Sequence, residues 1–215
     1  MSDPVGTARQ TSDHLKTACG KPRSVAILLF PEVEVLDFAG PFEVFSIAAQ
    51  TTEPSFQVHT VAAAPVVTVG GMRVTPGHDY ESCPQADILL LPGGIGSRRA
   101  VQDRRLLDWV EAQAWGAEIV ASICTGALLL GRLGLLDGLR VTTHWGALDL
   151  LRRVAPKAEV VGDSRFIDNG RILTSAGISA GIDMSLHLVA RLCGGAAAAA
   201  VARQMEYEGQ WRPAA

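Results

Sequence analysis

Cys124 is the residue in this sequence best placed to do chemistry. It stands in Ile123-Cys124-Thr125-Gly126, at the end of the apolar segment Glu118–Ser122 and ahead of a helical pattern over Ala127–Arg132. A sharp strand-to-helix turn at that point would lift the thiol over the sheet edge. The helix N-terminus beside it is expected to lower the thiol pKa and favour the nucleophilic thiolate. The competing reading is a free cysteine serving as a small buried apolar side chain.

Two further loops carry matching chemistry. Asp37, in Val35-Leu36-Asp37-Phe38-Ala39-Gly40-Pro41, is a carboxyl group in an apolar stretch. It would either cap the helix that follows or exchange protons with the cysteine. Glu34 is a weaker candidate, because its neighbours point to greater exposure. Pro92-Gly93-Gly94-Ile95-Gly96 lacks the Lys-Ser/Thr of a phosphate loop and the glycine pattern of a dinucleotide fold. Gly93 and Gly94 could instead offer bare backbone N–H groups to developing negative charge, or simply supply a positive-φ turn. His144, in Val141-Thr-Thr-His-Trp145, could approach the same site, although a lone histidine is more often structural. Glu43 and Glu206 are expected to be solvated surface groups.

These loops need a frame that brings them together. Ser24–Phe30 is a continuous apolar run between Pro22 and Pro31, as suits a strand buried on both faces of a parallel sheet. Phe56–Ala63, Asp87–Leu91 and Glu118–Ser122 continue the pattern, and Gly70-Gly71 joins Val66–Val69 to Met72–Val74 as a hairpin. Short strands fit Val160–Val161, Arg165–Ile167 and Ile172–Thr174. Helical spacing marks Pro41–Ala49, Asp103–Trp115, Ala127–Arg132, Asp183–Leu192 and Ala196–Tyr207. This alternation predicts an α/β fold: a doubly wound, mostly parallel sheet with helices on both faces. In such a fold the loops Pro31–Gly40, Pro92–Gly96 and Ile123–Gly126 open on one edge, where ligands bind. In the sequence of 215 residues, 1–22 read as a polar N-terminal tail and 23–215 as a single domain.

Composition narrows the function. The formal net charge of −3 provides no basic footprint for nucleic acid or an anionic membrane. No apolar run approaches the ~20 residues of a membrane span, and the N-terminus has no secretory pattern. Cys19, Cys83, Cys124 and Cys193 form no CxxC pair and have no histidine at zinc spacing. A metal site and a disulfide framework are therefore not expected, and a reducing cytoplasm is the default.

Read together, the loops resemble the ThiJ/PfpI superfamily, relatives of the class I glutamine amidotransferases. The matching segments are Phe30-Pro31-Glu32-Val33, Leu36–Pro41, Leu91–Gly94, Ser122–Ala127, Thr142–Trp145 and Ser175–Asp183, and the likeness covers about residues 24–208. The set is similar to the isocyanide hydratase branch and to the sensor half of amidotransferase-like AraC-type regulators.

The resemblance implies a flavodoxin-like fold, usually homodimeric, without metal or organic cofactor. It also implies a nucleophile at Cys124 and an acid–base partner at Asp37. Thr125 follows the nucleophile, and Gly93, Gly94, Thr125, His144 and Ile178 surround a small-molecule substrate. Phe38 and Ile178 are expected to line its apolar part. The protease-like members carry histidine where this chain has Thr125, and the amidotransferases carry His-x-Glu where it reads Gly177-Ile178-Ser179-Ala180. A Cys-His dyad is therefore not expected. The reaction implied is hydration of an isocyanide to an N-substituted formamide through a cysteine thioimidate. The alternative is a non-catalytic, cysteine-based sensor or chaperone-like dimer. Since the sequence stops at Ala215, no helix-turn-helix domain is expected to accompany it.

Overall fold

The computed structural model describes residues 22–52 and 55–211. The expected tail at residues 1–22, with Cys19, lies outside them except for its last residue. In chain order the elements are β1 (Arg23–Leu28), α1 (Val35–Thr51), β2 (Phe56–Val61), β3 (Val66–Val67), β4 (Arg73–Val74) and β5 (Ile88–Leu91). There follow α2 (Ser97–Ala100), α3 (Arg104–Gly116), β6 (Ile119–Ile123), α4 (Ala127–Arg132) and β7 (Arg140–Val141). The last are α5 (Leu148–Val154), β8 (Glu159–Val160), β9 (Phe166–Asp168), β10 (Ile172–Ser175), α6 (Ala180–Cys193) and α7 (Gly195–Gln204).

Six strands form one sheet in the order β2-β1-β5-β6-β10-β9. All neighbours run parallel except the antiparallel edge pair β10–β9. The interior strands β1, β5 and β6 are buried along their length except at Arg23 and are mostly apolar, because helices cover both faces and leave no side for polar alternation. One helical group packs α1, α6 and α7 together; another places α4 against α2 and α5. β3–β4 is the expected hairpin and β7–β8 a small parallel pair.

Several boundaries differ from the sequence reading. α1 starts at Val35, not at Pro41, so Pro41 lies inside the helix and Asp37 in its first turn. Proline normally ends a helix by clashing with the preceding residue. Here that residue is Gly40, whose missing Cβ relieves the clash and lets Ile182 of α6 pack against it; a Cβ would stand 2.8 Å from Ile182 Cγ1. Asp37 is consequently not the N-cap, a position taken by Glu34. β7 and α5, unassigned in the sequence, are too short for periodicity to reveal.

Candidate active site

Parallel strands put like ends together, so the carboxyl ends of β1, β5, β6 and β10 open on one edge. Cys124 immediately follows β6 with φ +54°, a left-handed conformation that costs a non-glycine residue of order 1–3 kcal/mol. Two hydrogen bonds hold it there. Its N–H donates to Ala176 O after β10 (3.1 Å), and its carbonyl accepts from Thr143 Oγ1 (2.6 Å). The chain then makes one turn of 3-10 helix over Cys124–Gly126 before α4.

The first turn of α1 carries Asp37 in from the β1 loop, and the carboxyl is fully buried. Oδ2 accepts from Gly93 N–H at 2.9 Å. Oδ1 is buried without a hydrogen bond of good geometry, and the carboxyl's other close neighbours are the Cys124 thiol and the Ile178 backbone N–H. Burial raises the Asp37 pKa to about 6, against the pull of the Gly93 N–H and the thiol. Burial, reinforced by the Asp37 charge, pushes Cys124 up to about 12, although the Thr125 N–H and hydroxyl favour the thiolate. This corrects the sequence expectation of a lowered thiol pKa. A single 3-10 turn ahead of a six-residue helix supplies too little dipole to outweigh desolvation and a facing carboxylate. At neutral pH the pair is a thiol beside a carboxylate.

The glycine loop also differs from expectation. Gly93 N–H is taken by Asp37, while Gly94 N–H donates to Thr125 Oγ1 and Gly94 O accepts from the same hydroxyl, each at 3.0 Å. Gly93 O accepts from Glu34 N–H at 2.9 Å. These N–H groups are therefore not bare donors for a substrate; they lock three loops into one unit. A Cβ on Gly93 would sit 2.5 Å from Thr125 N and 2.9 Å from Asp37 Oδ2, so glycine is required by close approach. Gly94 adds φ +122°, forbidden to most side chains.

A profile of the DJ-1/PfpI family matches residues 23–191. The chain belongs to the DJ-1/PfpI family. It is 40% identical over 185 residues to the isonitrile hydratase of Pseudomonas putida, covering 85% of this chain and 78% of that one. It is 30% identical over 190 residues to the HTH-type transcriptional regulator GbdR of Pseudomonas aeruginosa, covering 87% of this chain but only 51% of the regulator. Among solved structures, a ThiJ/PfpI family protein from Pseudomonas syringae superposes with a TM-score of 0.80 at 27% identity, over 96% of this chain and 84% of that one. Drosophila melanogaster DJ-1beta shares the fold at a TM-score of 0.76.

Within this DJ-1/PfpI domain, the structure gathers Cys124, Asp37, Thr125, Gly93, Gly94 and Ile178. Ile178 contributes its backbone N–H to Asp37; its side chain, at φ +54°, is 40% exposed. His144 lies against Gly177, next to Ile178, but its Nδ1 accepts from Gly146 N–H (3.1 Å) and caps a short turn. It is a neighbour of the site with a structural hydrogen bond. Phe38 is buried in the core. Glu34 acts on Asp37 only through its charge. Glu43 and Glu206 are exposed.

Sequence reasoning missed Thr143 and Ala176 as the pins of the strained cysteine, although both lie in the segments that carry the family likeness. It also missed fully buried Asp183, held by Arg165 and by Tyr207 Oη (3.1 Å), which ties α6 to the segment after α7. Among the described residues no helix is long and apolar enough to cross a membrane, and no cluster of three metal-ligating side chains occurs.

Proposed function

We propose that this domain is an isocyanide hydratase, a hydro-lyase with Cys124 as nucleophile and Asp37 as proton carrier. The observation that carries the reading is a buried carboxylate facing a buried, protonated thiol. The 40% identity to an isonitrile hydratase supports it. Because the thiol keeps its proton, attack begins with general-base removal rather than from a free thiolate. Asp37 takes the proton as sulfur bonds to the terminal carbon of R–N≡C, then delivers it to that carbon, giving the thioimidate R–N=CH–S–Cys124. As water adds to the same carbon, Asp37 takes one of its protons and passes it to the nitrogen. The C–S bond then breaks as the added hydroxyl becomes the carbonyl and gives its proton to the departing sulfur, and R–NH–CHO leaves. Thr125, whose N–H faces the sulfur, steadies charge there. Asp37 acts twice and ends as it began.

The deciding assay is formamide formation from simple alkyl and aryl isocyanides, with Cys124→Ala as control. Product from wild type alone supports the hydratase. Absence of product from every isocyanide favours the second reading, a cysteine-based sensor, to which the 30% identity with GbdR points. The reading includes a homodimer acting on a small molecule without nucleic acid. A particle of one chain's mass by light scattering at micromolar concentration would remove the dimer.

A further inference from the structure

A cavity of about 530 Å³ opens beside β1, β2 and β5. It shares no residue with the cysteine site. Phe30 after β1, Ala62 and Val66 after β2, and Ala100 and Leu106 after β5 form its nearly covered apolar walls, with Ala63, Ala64 and Pro65 exposed at the mouth. The wall between the two sites is the Pro31–Glu32 segment sealed against Gly96, whose N–H donates to Glu32 O at 3.1 Å. A Cβ at position 96 would strike the Pro31 carbonyl, so that wall is closed.

The position is meaningful in a doubly wound sheet. The chain leaves β1 for β2 on one side, while β5 lies on the other, and ligands collect outside the carboxyl ends where the direction of winding reverses. The size falls within the range of small-molecule pockets. The rim carries charge of both signs. Arg99 pairs with Glu32, and Asp103 Oδ1 accepts from Leu106 N–H to cap α3. A ligand of either sign would meet a like charge there, Arg99 or Asp103, and would lose hydration on entering the apolar part of the cavity. Tyr80, which stacks on Trp109 with centroids 5.3 Å apart, is fixed in the lining and supplies a hydroxyl able to donate.

We propose that this cavity is a second binding site, for a small neutral molecule with an apolar body and one hydrogen-bond acceptor directed at Tyr80. Acetophenone has that chemistry and serves as the probe. Calorimetry and ligand-observed NMR on the intact protein should show saturable binding, unchanged in Cys124→Ser. Tyr80→Phe should weaken it about threefold to tenfold, as for loss of one hydrogen bond. Ala64→Trp, at an exposed rim position, should plug the cavity and abolish binding; Gln102→Trp is an independent plug should the first fail to fold, as judged by thermal melting. Non-saturable binding, binding lost in Cys124→Ser, or full binding in a folded plugged variant would overturn the site. An unchanged affinity in Tyr80→Phe would overturn the acceptor-directed ligand class.

Discussion

In the proposed mechanism Asp37 and Cys124 share one proton, and their environments set the direction of its travel. Burial raises both pKa values, Asp37 to about 6 and Cys124 to about 12, so the proton rests on sulfur and the carboxylate waits to receive it. The rate should therefore rise with pH around a midpoint near 6, as Asp37 loses its proton, and stay level through pH 8. A profile rising instead through pH 8–9 would mean that the thiolate forms without Asp37. Replacing Asp37 with Asn separates the two effects. Turnover should fall ~10²–10⁴-fold because the proton carrier is gone. Alkylation of Cys124 by iodoacetamide at pH 8–9 should become faster, because the facing negative charge that raised the thiol pKa is gone as well. If Asp37 were only a local structural partner, both rates would be left near their starting values.

At the scale of elements, the turn after β6 is the costly feature. Cys124 keeps φ +54° only because Ala176 and Thr143 grip its N–H and C=O, and Thr125 clamps Gly94 from the next loop. Glycine adopts this conformation without strain, so Cys124→Gly should be more stable than Cys124→Ala by about 1 kcal/mol in urea unfolding. Equal stabilities would mean that the turn is unstrained.

The legibility of the sequence follows the same division. The interior strands were readable because burial on both faces writes a continuous apolar run, as in Val25–Leu28 and Ile88–Leu91. Once strands are parallel, convergence of their loops follows from topology. The start of α1 was not readable, because Pro41 signals a boundary that Gly40 cancels through a tertiary contact with Ile182. Nor was the pKa of Cys124: the helix N-terminus and Asp37 could both be read in the sequence, but the burial that outweighs the helix end arises only when the loops pack together.

For the molecule as a whole, the buried carboxyl of Asp37 lowers the stability of the fold at neutral pH. Asp37 has a raised pKa in the folded state, about 6 against 3.8. The folded protein thus binds more protons than the unfolded chain between these values, and stability falls as pH rises through the window. The contribution is fully present below pH 3.8 and lost above pH 6, a change of about 3 kcal/mol for roughly two pKa units. Asn does not titrate there. The difference in unfolding free energy between Asp37→Asn and wild type should therefore grow in favour of the variant from pH 4 to pH 7 by an amount of that order, and then level off. Other carboxylates titrate in both proteins and cancel in the difference, which isolates Asp37 even where acid weakens the whole fold. Denaturant titrations of the two proteins at pH 4, 5, 6 and 7 measure it. A pH-independent difference would mean that Asp37 ionises in the fold as it does in the unfolded chain. In that case the carboxylate would have escaped the desolvation that also holds the proton on Cys124, and the general-base step would lose its physical ground.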